Sequence, residues 1–429
     1  MILVVVGIIF FGTIILGVPV AFGMGLAGAS WILFFEGMEP TILARRFYHA
    51  LGSFPLLAIP LFIMLGVLAD RTRMLPQLVV WLQMLLGRLR GGMAYINIVA
   101  AMLFAGISGT AVSDIASLGR VLIQLMTRAG YPVSYAAALT AATSIIGPII
   151  PPSVAMIIYA LAVGNISVGA MFAAGAIPGV LFGLGFFVLA WNKTRTGNYG
   201  IQLVRPTARE LLRQTARVIP LLVLPAIIIG GILTGIFTVT ESAAIGVSYT
   251  MLIGFFATPR LRMKDIYDAV VYSAVISSVA GMLLGVGAIL SWILTFNRVT
   301  QTLADLLVSL TSNADVFMVI VLITLLILGM LMDAVPIMIA LSPLLAPIAR
   351  QYGIDDIQFG LVFVVTCMIG LVTPPVGIIL FMTTSISGVS LEKLSATILP
   401  FVLWMVAVVI LMIFFPALTL WLPKVLGFI

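Results

Sequence analysis

Along the chain, apolar runs of roughly membrane length alternate with short polar breaks. A helical span needs about 20 mostly apolar residues, so this pattern predicts an all-α, polytopic membrane protein. Residues 1–35 are apolar with Gly17, Val18 and Pro19 at their middle, suited to two short helices or one kinked one. A polar connection at 36–55 holds Arg45, Arg46 and His49 and leads to an apolar span at 56–69. Residues 70–92 set Arg71, Arg73, Arg88 and Arg90 around an apolar middle, the pattern of a helix lying at the interface. Residues 93–118 are apolar but interrupted from Gly106 to Asp114, which predicts a re-entrant hairpin: Gly106 and Gly109 allow a tight turn, and Ser108, Thr110 and Ser113 supply oxygen atoms.

Residues 132–164 read as a broken helix. Pro148, Pro151 and Pro152, beside Gly147, remove backbone donors and must unwind it. Lipid cannot satisfy the freed carbonyls, so such backbone is enclosed by protein or lines a polar cavity. A span at 166–191 and the longest polar stretch, 193–217, follow. The second half predicts an apolar segment at 218–233, a turn at 235–242, spans to 257 and at 269–296, and a mixed stretch at 297–315. It continues with a second hairpin at 316–341, interrupted from Gly329 to Pro336, a second broken helix at 358–385 and a last span at 399–422.

The halves are in register. Gly147 and Gly370, Pro152 and Pro375, Gly106 and Gly329, Gly130 and Gly353, and Ser167 and Ser390 are each 223 residues apart. Matching broken helices in two halves point to a transporter built from inverted repeats, with ion and substrate sites at the breaks. Composition agrees: of 429 residues, 62% are hydrophobic and only 8% charged, leaving no room for a large extramembrane domain. The N-terminal 35 residues contain no Lys or Arg, so they read as mature membrane sequence rather than a signal peptide.

The net charge of +7 is better explained by loop orientation than by nucleic acid. If the central join is cytoplasmic and the halves are inverted, only Arg45, Arg46, Arg298, Arg350 and Lys424 of the 21 cations fall outside, and both termini are periplasmic. The lone Cys367 excludes an internal disulfide and reads as a core residue. His49 reads as an interfacial side chain. No phosphate-binding G-x-x-x-x-G-K-[ST] occurs, so an ion gradient is the expected energy source and no cofactor is expected.

The stretches GISGTAVSDIASLG (106–119), IGPIIPPS (146–153), TVTESAAIG (238–246) and GLVTPPVG (370–377) carry a resemblance over essentially the whole length. The chain resembles the large membrane subunit of tripartite ATP-independent periplasmic (TRAP) transporters, in the wider ion-transporter superfamily. It departs from the pattern in having Val239 where many members have proline and Gly109-Thr110 where a Ser-Ser pair is common.

The resemblance implies sodium-coupled import of a small organic anion, of sialic acid or dicarboxylate type, across the bacterial inner membrane by an elevator. Its scaffold would be 1–69 and 218–296, with interfacial arms at 70–92 and 297–315. The moving hairpins and broken helices would be 93–164 and 316–385, within repeats at 1–192 and 218–429. It also implies two partners, a small four-helix membrane subunit and a periplasmic substrate-binding protein.

One sodium site would join Gly106, Ser108 and Thr110 to Gly147, Ile150 and Pro151. The other would join Gly329, Met332 and Asp333 to Gly370 and Thr373. A carboxylate inside an apolar hairpin marks Asp333 as functional, in ion or substrate binding. Arg298 could match a substrate carboxylate or snorkel to the interface. Ser153 and Thr373 are candidate hydroxyl donors to the substrate. Asp114 is either functional or a local cap, and Glu241 reads as a helix-start carboxylate.

Two alternatives stand beside this reading. One is a sodium- or proton-coupled transporter of the same superfamily that needs no binding protein. The other is an intramembrane hydrolase using Asp114 and Asp333, which the register disfavours because it sets Thr110, not Asp114, against Asp333.

Overall fold

The computed structural model describes residues 2–36, 39–195, 199, 206–257 and 261–429. Arg205 and Arg260, expected on the cytoplasmic face, lie outside them, as does much of the 193–217 join. All regular structure among the described residues is helical.

The first half opens with α1 (Ile2–Ile15) and α2 (Val20–Trp31), two helices joined by a turn at Gly17, where φ is +80°. Then come α3 (Thr41–Leu51), α4 (Ala58–Arg71) and α5 (Leu75–Leu86). The first hairpin enters as α6 (Gly92–Ser108) and returns as α7 (Ala111–Asp114) and α8 (Arg120–Arg128), with a wider π-type turn at Ile115–Gly119. The first broken helix consists of α9 (Val133–Ser144) and α10 (Val154–Val163), and α11 (Val168–Thr194) completes the half.

The second half holds α12 (Ala208–Leu233), α13 (Val239–Leu252), α14 (Met263–Phe296) and α15 (Val299–Leu310). Its hairpin is α16 (Ala314–Leu331) and α17 (Ala334–Gln351), and its broken helix is α18 (Asp356–Gly370) and α19 (Ile378–Ser387). The chain ends with α20 (Leu391–Phe414) and α21 (Ala417–Val425). Among the described residues, 8 helical stretches are long and apolar enough to cross a membrane.

Helix α12 starts at Ala208, so Arg209, Arg213 and Arg217 of the polar join are on a helix. A capping box starts it early, with Thr207 and Glu210 satisfying each other's backbone donors. The expected last span at 399–422 is instead two helices, because Pro416 cannot continue α20. Glu241, by contrast, is a helix-start carboxylate in the same capping-box arrangement with Thr238.

A shift of 223 residues lays α5 on α15, α6 on α16, α9 on α18, α10 on α19 and α11 on α20, with N-termini agreeing to within about one residue. The relation is a two-fold one. Trp404 Nε1 donates to Leu181 O at 3.3 Å, and these two residues are themselves 223 apart. The Phe186 and Phe401 rings meet at 5.7 Å, so α11 advances as α20 recedes. Equivalent helices that cross antiparallel make the repeats inverted.

Two bodies result. In one, α4 packs on α13 and α14, with α2 and α3 against α14 and α12 against α13. The other gathers the hairpins and broken helices with α11 and α20. Both leading halves of the broken helices are enclosed: Tyr135 to Ser144 in α9 and Ile357 to Gly370 in α18 are buried throughout. That enclosure is what permits unwound backbone at their ends. Helix α9 achieves it with Ala136, Ala137, Ala138, Ala141 and Ala142, small residues that let neighbouring backbones approach closely.

Candidate functional site

Each hairpin tip meets the break of its own repeat. The Val154 N–H, just after the first break, donates to Gly109 O at the first tip at 3.3 Å. The Gly377 N–H, just after the second break, donates to Met330 O at the second tip at 3.2 Å. Val154 and Gly377 are repeat equivalents, so the same N–H tethers tip to break twice. Thr110 and Asp333 are also equivalents, and both are N-caps: Thr110 Oγ1 accepts from Ser113 N at 3.3 Å and Asp333 Oδ1 from Val335 N at 3.3 Å.

At the first junction Gly109 adopts φ +64°, and a Cβ there would lie 2.7 Å from Pro152 O, so only glycine allows this approach. Gly106 faces Pro225 of α12, with Pro151 O 3.8 Å from its Cβ position. Ser108 and Asp114 are buried at 2% and 3% exposure, and the Ser108 hydroxyl donates to Asp114 Oδ1. Asp114 Oδ2 has no hydrogen-bond partner among the described residues and points at Gly147, where any side chain would collide with it. The missing Cβ at Gly147 is what lets the carboxylate reach the unwound backbone.

At the second junction two glycines touch backbone to backbone. A Cβ on Gly370 would lie 2.6 Å from Gly329 Cα, and one on Gly329 would lie 2.9 Å from Gly370 Cα. The Thr373 hydroxyl donates to Ile369 O at 2.7 Å and keeps an oxygen lone pair available. Asp333 is exposed at the tip. It is the N-cap residue just before α17, where its Oδ1 takes the Val335 N–H.

Thus the structure brings Gly106, Ser108, Thr110, Gly147 and Pro151 into one junction, with Ile150 in the same unwound segment, and Gly329, Met332, Asp333, Gly370 and Thr373 into the other. Ser153 is fully buried, and its hydroxyl donates to Pro148 O at 2.6 Å while accepting from Met156 N at 3.2 Å. Its proton is committed to holding the break, contrary to the expected role as a substrate donor. Arg298 is exposed at the start of α15, with φ +53°, and forms no ion pair among the described residues. Its helix α15 packs against α17, the returning arm of the second hairpin.

Sequence reasoning passed over Asn97. It is buried in α6, donates to Thr140 Oγ1 at 2.7 Å and accepts from Thr143 Oγ1 at 3.0 Å, fastening the first hairpin to the first broken helix. An asparagine in an otherwise apolar run was the available signal. In the second repeat Gln358 instead ties the broken helix to α20, donating to the carbonyls of Met412 and Ile413 at 3.1 and 3.2 Å.

A family model of the tripartite ATP-independent periplasmic transporter, DctM component, matches residues 7–418. The chain belongs to this TRAP transporter family. Among similar proteins, the sialic acid TRAP transporter large permease SiaM of Vibrio cholerae is 31% identical over 413 residues, covering 96% of each chain. The C4-dicarboxylate TRAP transporter large permease DctM of Pseudomonas aeruginosa is 32% identical over 404 residues, covering 94% of each. The solved YdaH transporter of Alcanivorax borkumensis shares the fold, with a TM-score of 0.66 at 15% identity over 88% of this chain and 87% of that one.

The TRAP permeases are transport proteins rather than enzymes, which removes the hydrolase alternative. The geometry agrees: Asp114 is buried against Gly147 and Asp333 is exposed at the other tip, so they do not share a setting as a carboxylate dyad would.

Proposed function

We propose that this TRAP permease imports a small organic anion across the bacterial inner membrane, driven by sodium and moving as an elevator. The observation that carries this reading is the pair of equivalent tip-to-break tethers, Val154 N to Gly109 O and Gly377 N to Met330 O. They set hydroxyls, a carboxylate and unwound carbonyls side by side in each repeat. Oxygen-only surroundings of this kind suit a hard monovalent cation.

Asp114 completes the first sodium site. Its unpartnered Oδ2 beside Gly147 supplies the negative charge that Ser108 and the carbonyls lack. The second site draws on Gly329, Met332, Gly370 and Thr373, with the exposed Asp333 at its rim. The substrate is a carboxylate of the sialic acid or dicarboxylate kind, which the names of the similar permeases support. Arg298 supplies its counter-charge. The scaffold body stays fixed and carries the small membrane subunit, while a periplasmic binding protein delivers substrate. The basic central join faces the cytoplasm and both termini face the periplasm.

Uptake into proteoliposomes containing this chain, its small subunit and the cognate binding protein tests the reading. Accumulation that needs an inward sodium gradient, and that potassium cannot replace, is the expected result. Uptake that persists without sodium refutes the coupling, and uptake without the binding protein moves the chain to another branch of the superfamily.

A further inference from the structure

Between Asp114 and Glu241 the sequence carries 8 lysines and arginines but only one acidic residue, Glu210. Three of those cations, Arg209, Arg213 and Arg217, lie on α12 four residues apart, so they share one face. They run about 12 Å along the helix axis, at about 1.5 Å per residue. All three are exposed and form no ion pair among the described residues. Glu210 is turned away from them: its Oε2 accepts from the Thr207 N–H at 2.8 Å and from the Thr207 hydroxyl at 2.9 Å.

The opposite side of α12 is packed. Gln214, Val218, Leu221 and Leu224 are buried. Gln214 Nε2 donates to Gln77 O at 3.0 Å, and the Trp81 indole donates to Thr215 Oγ1 at 2.9 Å, fixing α12 on α5. A half-buried tryptophan with a polar partner marks the headgroup level of a membrane, and this one meets the turn that holds Arg213 and Arg217. Beside the arginines, Leu212, Ile219 and Val223 are exposed at 75%, 48% and 36%. They belong to a helix long and apolar enough to cross the bilayer. Along one open face, guanidiniums therefore give way to bare apolar side chains.

We propose that this face binds an anionic phospholipid, with its phosphate held by Arg213 and Arg217, Arg209 toward water, and an acyl chain along Ile219 and Val223. Guanidinium matches phosphate oxygens bidentately, and basic clusters beside a membrane helix select anionic headgroups. An acidic soluble segment would leave Ile219 and Val223 bare. An acidic membrane helix would have to carry carboxylates into lipid, which is costly. Loop cations are enough to orient a chain; orientation alone does not call for an arginine as far into the span as Arg217. Bound there, the lipid fixes the depth of α12 in the bilayer.

The test uses the full chain with its one cysteine replaced, Cys367→Ala, in phosphatidylcholine nanodiscs. Ile219→Cys carries a bimane fluorophore, which is titrated with phosphatidylglycerol or phosphatidylcholine brominated on the acyl chains. The anionic lipid should quench at a mole fraction lower by about tenfold or more, and the preference should shrink as salt is raised. Arg209→Gln/Arg213→Gln/Arg217→Gln should abolish it. Arg88→Gln/Arg90→Gln/Arg128→Gln, at three exposed cations elsewhere, should leave it in place. Bimane on Val275→Cys, an exposed apolar position of α14, should show no preference and the same quenching in every variant, which reports that the fold is kept.

Equal quenching by the two lipids at Ile219, an equal preference at Val275, or a preference lost as fully in the second triple variant as in the first would overturn the proposal. So would its loss on adding the small membrane subunit, which would make this face a protein contact. None of these readouts needs transport, so they stand whatever the uptake assay shows.

Discussion

Replacing Gly370 by alanine puts the second junction under direct strain. The added Cβ would lie 2.6 Å from Gly329 Cα and 2.8 Å from its carbonyl carbon. Carbon atoms pack best at about 3.5–4.0 Å, so tip and break must part by roughly 1 Å. Both neighbours are backbone, and no rotamer change can absorb the shift. Overpacking of this kind costs about 1–3 kcal/mol. The tether from Gly377 N to Met330 O, now 3.2 Å, would leave hydrogen-bonding range, adding about 1 kcal/mol. Thermal unfolding of the purified chain should show Gly370→Ala with a clearly lowered midpoint. Sodium titration of uptake should show a raised half-saturating concentration, because the second site's oxygens are pulled apart. Gly230→Ala is the control: its Cβ meets nothing within 4 Å on α12, so the midpoint should hold or rise. If Gly370→Ala unfolds and titrates with sodium as the parent does, the tight junction and its role in ion binding are both refuted.

Asp114→Asn keeps the side-chain shape and a partner for Ser108 but removes the charge; uptake in a sodium gradient should fall at least about tenfold, the effect of about 1.4 kcal/mol, and unchanged sodium dependence would exclude Asp114 as a ligand. Asn97→Ala leaves Thr143 without its side-chain acceptor and detaches hairpin from broken helix, costing about 1–3 kcal/mol in unfolding measurements. Ser153→Ala frees the Pro148 carbonyl and the Met156 N–H inside the first break, so stability should drop by a similar amount, about 1–3 kcal/mol. Arg298→Gln, at an exposed position, should raise the substrate KM several-fold while leaving the unfolding midpoint in place; an unchanged KM would return Arg298 to a snorkelling role.

Much of the architecture was legible because lipid is an unforgiving solvent. Prolines at 148, 151 and 152 and again at 374 and 375 cannot sit in a plain membrane helix, so breaks at those places followed from backbone chemistry alone. The constant offset of 223 residues likewise implied two repeats, because equivalent breaks must sit in equivalent surroundings. Helix ends were less legible. The start of α12 depended on Thr207 and Glu210 meeting in space, and the end of α20 on a turn at Pro416 inside an apolar run.

What only the tertiary structure decided was burial. Asp114 and Asp333 look alike in sequence, each an acidic residue near a glycine-bearing hairpin tip. Folding puts Asp114 one turn inside the hairpin, against a glycine with no Cβ to fend it off, and leaves Asp333 capping a helix at the surface. Ser153 looked like a free hydroxyl until Pro148 O was seen to take its proton. One cavity is lined by both Arg73 and Arg262, residues nearly 190 positions apart. Periodicity reports which face of a helix avoids water; which charges end up sharing a cavity depends on how two bodies pack, and that is a property of the whole chain.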